Sequence, residues 1–411
     1  MVHRRQFLGL AVYGLLYPVL SRNSISGGEF NVNEIILTEE ALRIHRSALV
    51  IDGHNDLPNK MRLKELTSFD NFDLKQNQPD FHTDISRLLK GGVGAQFWVA
   101  DGSIINKQVN VKSSPGYCLE DIELIHKMAE KYSDIFEMAY RADDILEIHS
   151  KGKIASLIGI EGGSAIEKSI NVLDSFYRLG ARYMTLVWGE TNELVDSATD
   201  TPTHGGLSEL GKKVVLRMNH LGMLVDISHL TTKAMRDVLG LSQAPIIASH
   251  SSAYHLSSSD RNIPDDVLIG IAKNEGLVMV NFFPGFLTHE GAMIDKGYWN
   301  YLHLLQSDPE KNEAEMYKLL NKWDEEHPVP KCSVEKVVDH IDHIVKIAGL
   351  EHVGLGSDFD GIPLTPDYLA DVSYFPYITQ ILLNRGYNEE AIHKILGGNL
   401  IRVFKKAEEM T

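Results

Sequence analysis

The sequence predicts an α/β chain folded as a (β/α)8 barrel, and three observations predict it. Eight short apolar runs recur along the 411 residues, each about the length of a strand. They are apolar throughout rather than alternating, as expected of parallel strands covered on both faces. Helical segments fill most of the connections between them. The runner-up is an open doubly wound sheet. No Gly-x-Gly-x-x-Gly follows any run, which counts against its dinucleotide-binding version. A barrel gathers its active residues at the C-terminal ends of its strands, so the residues after each run carry the functional argument.

Composition sets the outer bounds. The chain is 43% hydrophobic and 23% charged, ordinary for a soluble globular protein with a large core. Length alone suggests two or three domains, but an α/β barrel reaches this size as one. A formal net charge of -16 argues against a nucleic-acid backbone as partner. Cys118 and Cys332 are too few for a disulfide framework; they either pair in an oxidising compartment or stand as separate thiols.

The first 28 residues read as a targeting segment and are set apart from the barrel domain, 29–411. His3-Arg4-Arg5-Gln6-Phe7-Leu8 resembles a twin-arginine export signal, and an uncharged run from Phe7 to Leu20 follows. That run is shorter than the ~20 residues a membrane span needs. The expected location is therefore outside the cytoplasm, in the periplasm. Two departures are His3, where Ser or Thr is usual, and the absence of a clear Ala-x-Ala cleavage site.

Thr38-Glu39-Glu40 opens a short helix, with a Thr cap and an acidic first turn. The first strand is Leu49-Val50-Ile51, and it stops at Gly53 to deliver His54 and Asp56. Residues i and i+2 of an extended segment point to one side, so the imidazole and the carboxylate can converge. Residues 59–83 read as a loop, 84–90 as a helix and 91–100 as the second strand. Helices follow over 119–132 and 142–149. Ile154 to Ile160 is the third strand, ending at Glu161-Gly162-Gly163. Ser164 caps a helix to Leu179, and Arg182 to Trp188 is the fourth strand. The fifth, Met223 to Ile227, ends at Ser228-His229, and the sixth, Pro245 to Ala248, ends at Ser249-His250-Ser251. A helix runs from Asp265 to Lys273, and Leu277 to Phe282 is the seventh strand. The insertion Pro284 to Lys331 is rich in charge and aromatic residues. It reads as a lid or as a subunit contact in a homodimer. A helix over 334–347 precedes the eighth strand, His352 to Gly356, which ends at Ser357-Asp358-Phe359-Asp360-Gly361. A last helix covers about 388–408.

The strand ends thus collect His54, Asp56, Glu161, His229, His250 and Asp358. Of 18 His in the chain, only His54, His229 and His250 stand at such positions. Three His with carboxylates at one barrel mouth are too many ligands for one tetrahedral ion. They suit two metals bridged by a carboxylate and a water, typically ~3.5–4 Å apart.

Several further segments, taken with these, carry a resemblance. They are Ile51-Asp52-Gly53-His54-Asn55-Asp56-Leu57-Pro58, Ile160-Glu161-Gly162-Gly163, Asp226-Ile227-Ser228-His229, Ser249-His250-Ser251-Ser252-Ala253, Arg261-Asn262-Ile263-Pro264, Gly354-Leu355-Gly356-Ser357-Asp358-Phe359-Asp360-Gly361 and Gly397-Gly398-Asn399-Leu400. In this order they closely resemble the renal (membrane) dipeptidase family of zinc peptidases. The resemblance implies a TIM barrel of the metallo-dependent hydrolase type with two zinc ions. His54, Asp56 and Glu161 would hold one ion, and Glu161, His229 and His250 the other. It implies hydrolysis of dipeptides by a bridging hydroxide, with Asp358 as acid/base and Arg261 on the substrate's free carboxylate. Asp360, two residues on, reads as structural support.

One departure concerns Trp188, which stands where many members carry a His that stabilises the oxyanion; an indole donates one hydrogen bond and carries no charge. Trp188 is therefore counted with Arg261 among the substrate-binding residues, and His204 reads as a solvated loop residue. The alternative reading is hydrolysis of another small amide, such as a β-lactam or N-acyl amino acid, on the same metals. A metal-binding exported protein without turnover would lack a ligand or Asp358, and neither is missing.

Overall fold

The eight apolar runs are strands, and they close into a ring. The structure is a computed structural model that describes residues 34–102 and 114–410; the export-like segment lies outside the described residues. The strands are β1 (Val50–Asn55), β2 (Val93–Asp101), β3 (Phe136–Met138), β4 (Ile154–Glu161), β5 (Ala181–Thr185), β6 (Leu224–Asp226), β7 (Ile247–Ala248), β8 (Leu277–Val280) and β9 (Val353–Leu355). β1 pairs with β2, β2 with β4, and each strand from β4 to β8 with the next. β9 returns to β1, and every pairing is parallel. This is the closed eight-stranded barrel. β3 is an extra short strand beside the start of β4.

Side-chain alternation explains why the runs lack a polar face. Ile51, Phe97, Leu157, Tyr183, Leu277 and Met279 belong to an inner cluster with Leu400, Val403 and Phe404 of the last helix. Their neighbours Val50, Trp98, Ile158, Met184, Val278 and Val280 pack outward into the main core. Both faces are therefore apolar, and every residue of β1, β2, β4 and β8 is buried. The helices start where capping residues place them: the side chains of Thr38, Ser208 and Thr231 accept from Ala41 N, Gly211 N and Ala234 N.

The structure departs from the sequence reading in five places. Phe136–Met138 is too short to show a pattern. Residues 59–63, read as the start of a loop, belong to the helix Leu57–Leu63. The helix expected from Ser164 to Leu179 is a 3-10 turn, Gly163–Ile166, then an α-helix, Ile170–Arg178; Glu167 and Lys168 between them take left-handed φ of 44° and 65°. The last helix is divided into Glu389–His393, a π turn Lys394–Gly398 and Asn399–Glu408. Phe375–Asn384 is an unforeseen helix, apolar on most sides because it is buried. The insertion forms two long helices, His289–Gln306 and Glu313–Glu326. Among the described residues no helix is long and apolar enough to cross a membrane. Cys118 and Cys332 are separate thiols.

Candidate metal centre

The sequence-predicted strand-end residues meet at one mouth of the barrel. His54 comes from β1, and Asp56 is the residue before the helix Leu57–Leu63, where its carboxylate makes no capping bond. Freed from that duty, Asp56 Oδ2 lies 3.5 Å from His54 Nε2. Glu161 ends β4. Its Oε1 lies 3.7 Å from His54 Nε2, 3.0 Å from His229 Nε2 and 3.3 Å from His250 Nε2. The Nε2 atoms of His229 and His250 are 2.9 Å apart. Asp358, beyond β9, groups with His54 and Asp56, its backbone N–H bonded to His54 O at 3.0 Å. His229 and Asp358 hold left-handed φ of 70° and 63°, a conformation rare in residues with a Cβ and tolerated chiefly at functional sites.

The surrounding hydrogen bonds assign the imidazole protons. Tyr183 OH donates to Gly53 O (3.2 Å), so its oxygen accepts from His54 Nδ1 at 3.0 Å. Ser249 Oγ donates to Asp226 Oδ2 (2.6 Å) and accepts from His250 Nδ1 at 2.8 Å. Both rings are therefore protonated on Nδ1 and turn Nε2 into the cluster; burial alone would lower the His54 imidazole, but Glu161 holds it above its usual range. Burial pushes His229 down to about 3 and holds His250 well below the usual imidazole range, so both rings are neutral ligand donors. Burial, then repulsion from Glu161 and Asp358, pushes the Asp56 carboxyl well up. Burial alone would raise Glu161, but His54 and His229 overrule it and hold that carboxyl well down.

This donor set fits metal ions. Two buried carboxylates, the half-buried Asp358 and three buried imidazoles converge, and His54 Nε2 and Asp56 Oδ2 are buried without a hydrogen-bond partner. Such atoms are stable in a protein interior only when a cation or proton compensates them. Residues 38–411 match the sequence profile described as membrane dipeptidase (Peptidase family M19).

The chain belongs to the membrane dipeptidase family. It is a metal-dependent dipeptidase, a hydrolase of peptide bonds. A curated relative, dipeptidase tcpJ of Claviceps purpurea, is 38% identical over 367 residues, 87% of this chain and 77% of the relative. The fold is similar to that of the probable dipeptidase PvdM from Pseudomonas aeruginosa, with a TM-score of 0.79 at 25% identity, covering 90% of this chain and 98% of that one. It is also similar to a metallo peptidase from Rhodobacter sphaeroides, solved with a phosphinate mimic of the dipeptide L-Ala-D-Ala. There the TM-score is 0.72 at 23% identity, over 88% of this chain and 99% of that one.

Two further residues of the dipeptidase border the cluster. Arg261 is buried, its guanidinium over the Phe286 ring at 5.2 Å, and its Nη1 has no partner. Trp188 is half-buried, its ring centroid 6.2 Å from that of His229. Asp360 bonds to Lys60 Nζ (3.0 Å) and His82 N (2.8 Å), which is structural support. His204 is exposed and bonds to Asn192 O in its own loop, away from the mouth.

Sequence reasoning missed the supporting residues. Asp52 accepts from Ser357 Oγ (2.6 Å) and Ser357 N (2.8 Å), tying β1 to the loop that carries Asp358. Asp226 accepts from Thr185, Ser228 and Ser249. Asn281 Nδ2 donates to Asp358 Oδ2 at 2.7 Å. The available signal was a charged or amide residue within or just after a run buried on both faces, where it must be hydrogen-bonded. A second group, His255, Asp265 and His343, lies apart. Its two rings are stacked within 9° of parallel, so their in-plane lone pairs do not meet at one point, and His343 Nε2 is already bonded to Asp265 at 2.7 Å.

Proposed function

We propose that this dipeptidase works on two zinc ions and cleaves small dipeptides that bear a free carboxylate. The observation that carries the reading is Glu161 Oε1, which three imidazole nitrogens face within 3.7 Å. His54, Asp56 and Glu161 would hold one ion, and Glu161, His229 and His250 the other, with Glu161 shared. When bound, zinc supplies a water of lowered pKa and a Lewis acid for the scissile carbonyl.

The chain's own groups do the rest. Asp358 takes the proton of the attacking water and passes it to the leaving amine. Burial raises its carboxyl, which favours holding that proton, and Asn281 keeps one oxygen oriented. Arg261 binds the substrate's carboxylate; its unpartnered Nη1 and planar fork suit a bidentate partner. Trp188 lies beside His229 and offers one N–H near the reacting carbonyl. The phosphinate dipeptide bound by the Rhodobacter sphaeroides peptidase is of the substrate class this reading expects.

The test is hydrolysis of a dipeptide panel by the zinc-loaded protein, with C-terminally amidated controls and the Asp358→Asn variant. Loss of about 10²–10⁴ in kcat for the variant is expected, with a rise in KM on amidation. A fully zinc-loaded protein that turns over no dipeptide would sink the proposal.

A further inference from the structure

The helix His289–Gln306 supplies none of the proposed ligands or acid/base groups, yet it reaches the site. Trp299 packs edge-to-face on Trp188 with centroids 5.9 Å apart, and Trp188 in turn neighbours His229. Trp299 also closes on the loop after β5: a Cβ built on Gly189 would lie 2.9 Å from the indole Cη2. Asp295 lies one turn earlier on the same helix, within electrostatic reach of Arg261, and burial pushes its carboxyl up to about 7. Phe286, at the entry to the insertion, lies against the Arg261 guanidinium. The helix is tied down along its length. His289 bonds to Ser258 (3.0 Å), Lys296 to Asp260 (2.8 Å) and Gln306 to Glu190 (3.2 Å).

A substrate with its carboxylate on Arg261 and its scissile carbonyl beside the Glu161 cluster must lay its C-terminal residue between them. Trp188, with Trp299 packed on it, borders the cluster end of that path, and Phe286 the Arg261 end. We infer that Trp299 selects the side chain of the substrate's C-terminal residue, the indole favouring large apolar groups. The inference rests on the dipeptidase reading above and adds the substrate class. Its physical basis is burial of apolar surface against the indole.

The experiment is steady-state kinetics of the full-length, zinc-loaded wild type and of Trp299→Ala and Trp299→Phe. The substrates are Ala-Gly, Ala-Leu and Ala-Phe, with each chiral second residue in both configurations. The Phe-to-Gly ratio of kcat/KM is expected to fall about tenfold in Trp299→Ala, chiefly through KM. Trp299→Phe, which keeps the helix packed, retains most of that ratio. Ratios that do not move, or equal losses on every dipeptide, overturn the inference while leaving the dipeptidase reading in place. A wild type inactive on the whole panel overturns both.

Discussion

Asp226 controls His250, a proposed metal ligand, without touching the cluster. Its Oδ1 accepts from Ser228 N (3.0 Å) and Ser249 N (2.8 Å), and its Oδ2 from the hydroxyls of Thr185 (2.5 Å) and Ser249 (2.6 Å). In Asp226→Asn the amide oxygen stays with the two N–H groups, so the NH2 faces the hydroxyls. Ser249 then has to accept there and turns its proton towards His250 Nδ1. That ring would carry its proton on Nε2, the nitrogen aimed at Glu161, and metal affinity is expected to fall about 10–100-fold. Competition with a chelator measures it, and affinity equal to wild type would refute the argument. The ligand cluster itself was readable because each member follows an apolar run. Asp226 was readable only as part of a motif, since its partners come from β5 and the loop after β7, distant in sequence.

At the scale of elements, the π turn Lys394–Gly398 is shaped by the first strand. A Cβ on Gly397 would lie 2.2 Å from Leu49 O and 2.7 Å from Ile51 Cγ1, so only glycine lets this turn abut the start of β1. Gly397→Ala is expected to destabilise the fold by about 1–3 kcal/mol through overpacking. Urea unfolding checks it; an unchanged midpoint would mean that the turn yields at no cost. The strands and capped helices were legible because each carries its own periodicity or cap. The insertion was not: Trp299, Tyr301 and Trp323 mark it as aromatic, but Trp299 spends its indole on Trp188 in a distant loop. Its helices do not display one regular apolar face. The break at Glu167 and Lys168 was equally hidden, because left-handed backbone at two non-glycine residues is imposed by packing rather than by propensity.

For the whole molecule, the charge balance of the barrel mouth predicts strong linkage between metal and stability. Asp56, Glu161 and Asp358 are brought together with three imidazoles in a site almost closed to water. Cations there relieve the repulsion that burial magnifies. Each bound ion is expected to add about 2.7 kcal/mol at a free concentration one hundred times its Kd. Chelation should therefore lower the melting temperature, and added zinc should restore it. A melting temperature indifferent to chelator, with metal loss confirmed by elemental analysis, would contradict this electrostatic account.

By itself, the sequence determined the barrel and the roll of strand-end residues. Both are local: an apolar run buried on two faces needs no partner to be recognised, and a His or carboxylate just past it is visible in a few residues. Tertiary structure alone decided which nitrogen each ring turns inward and which buried acids hold those rings. It also decided that an inserted helix packs Trp299 on Trp188 beside the site. Those outcomes depend on atoms a few ångströms apart in space and tens to hundreds of residues apart in the chain, which no local pattern encodes.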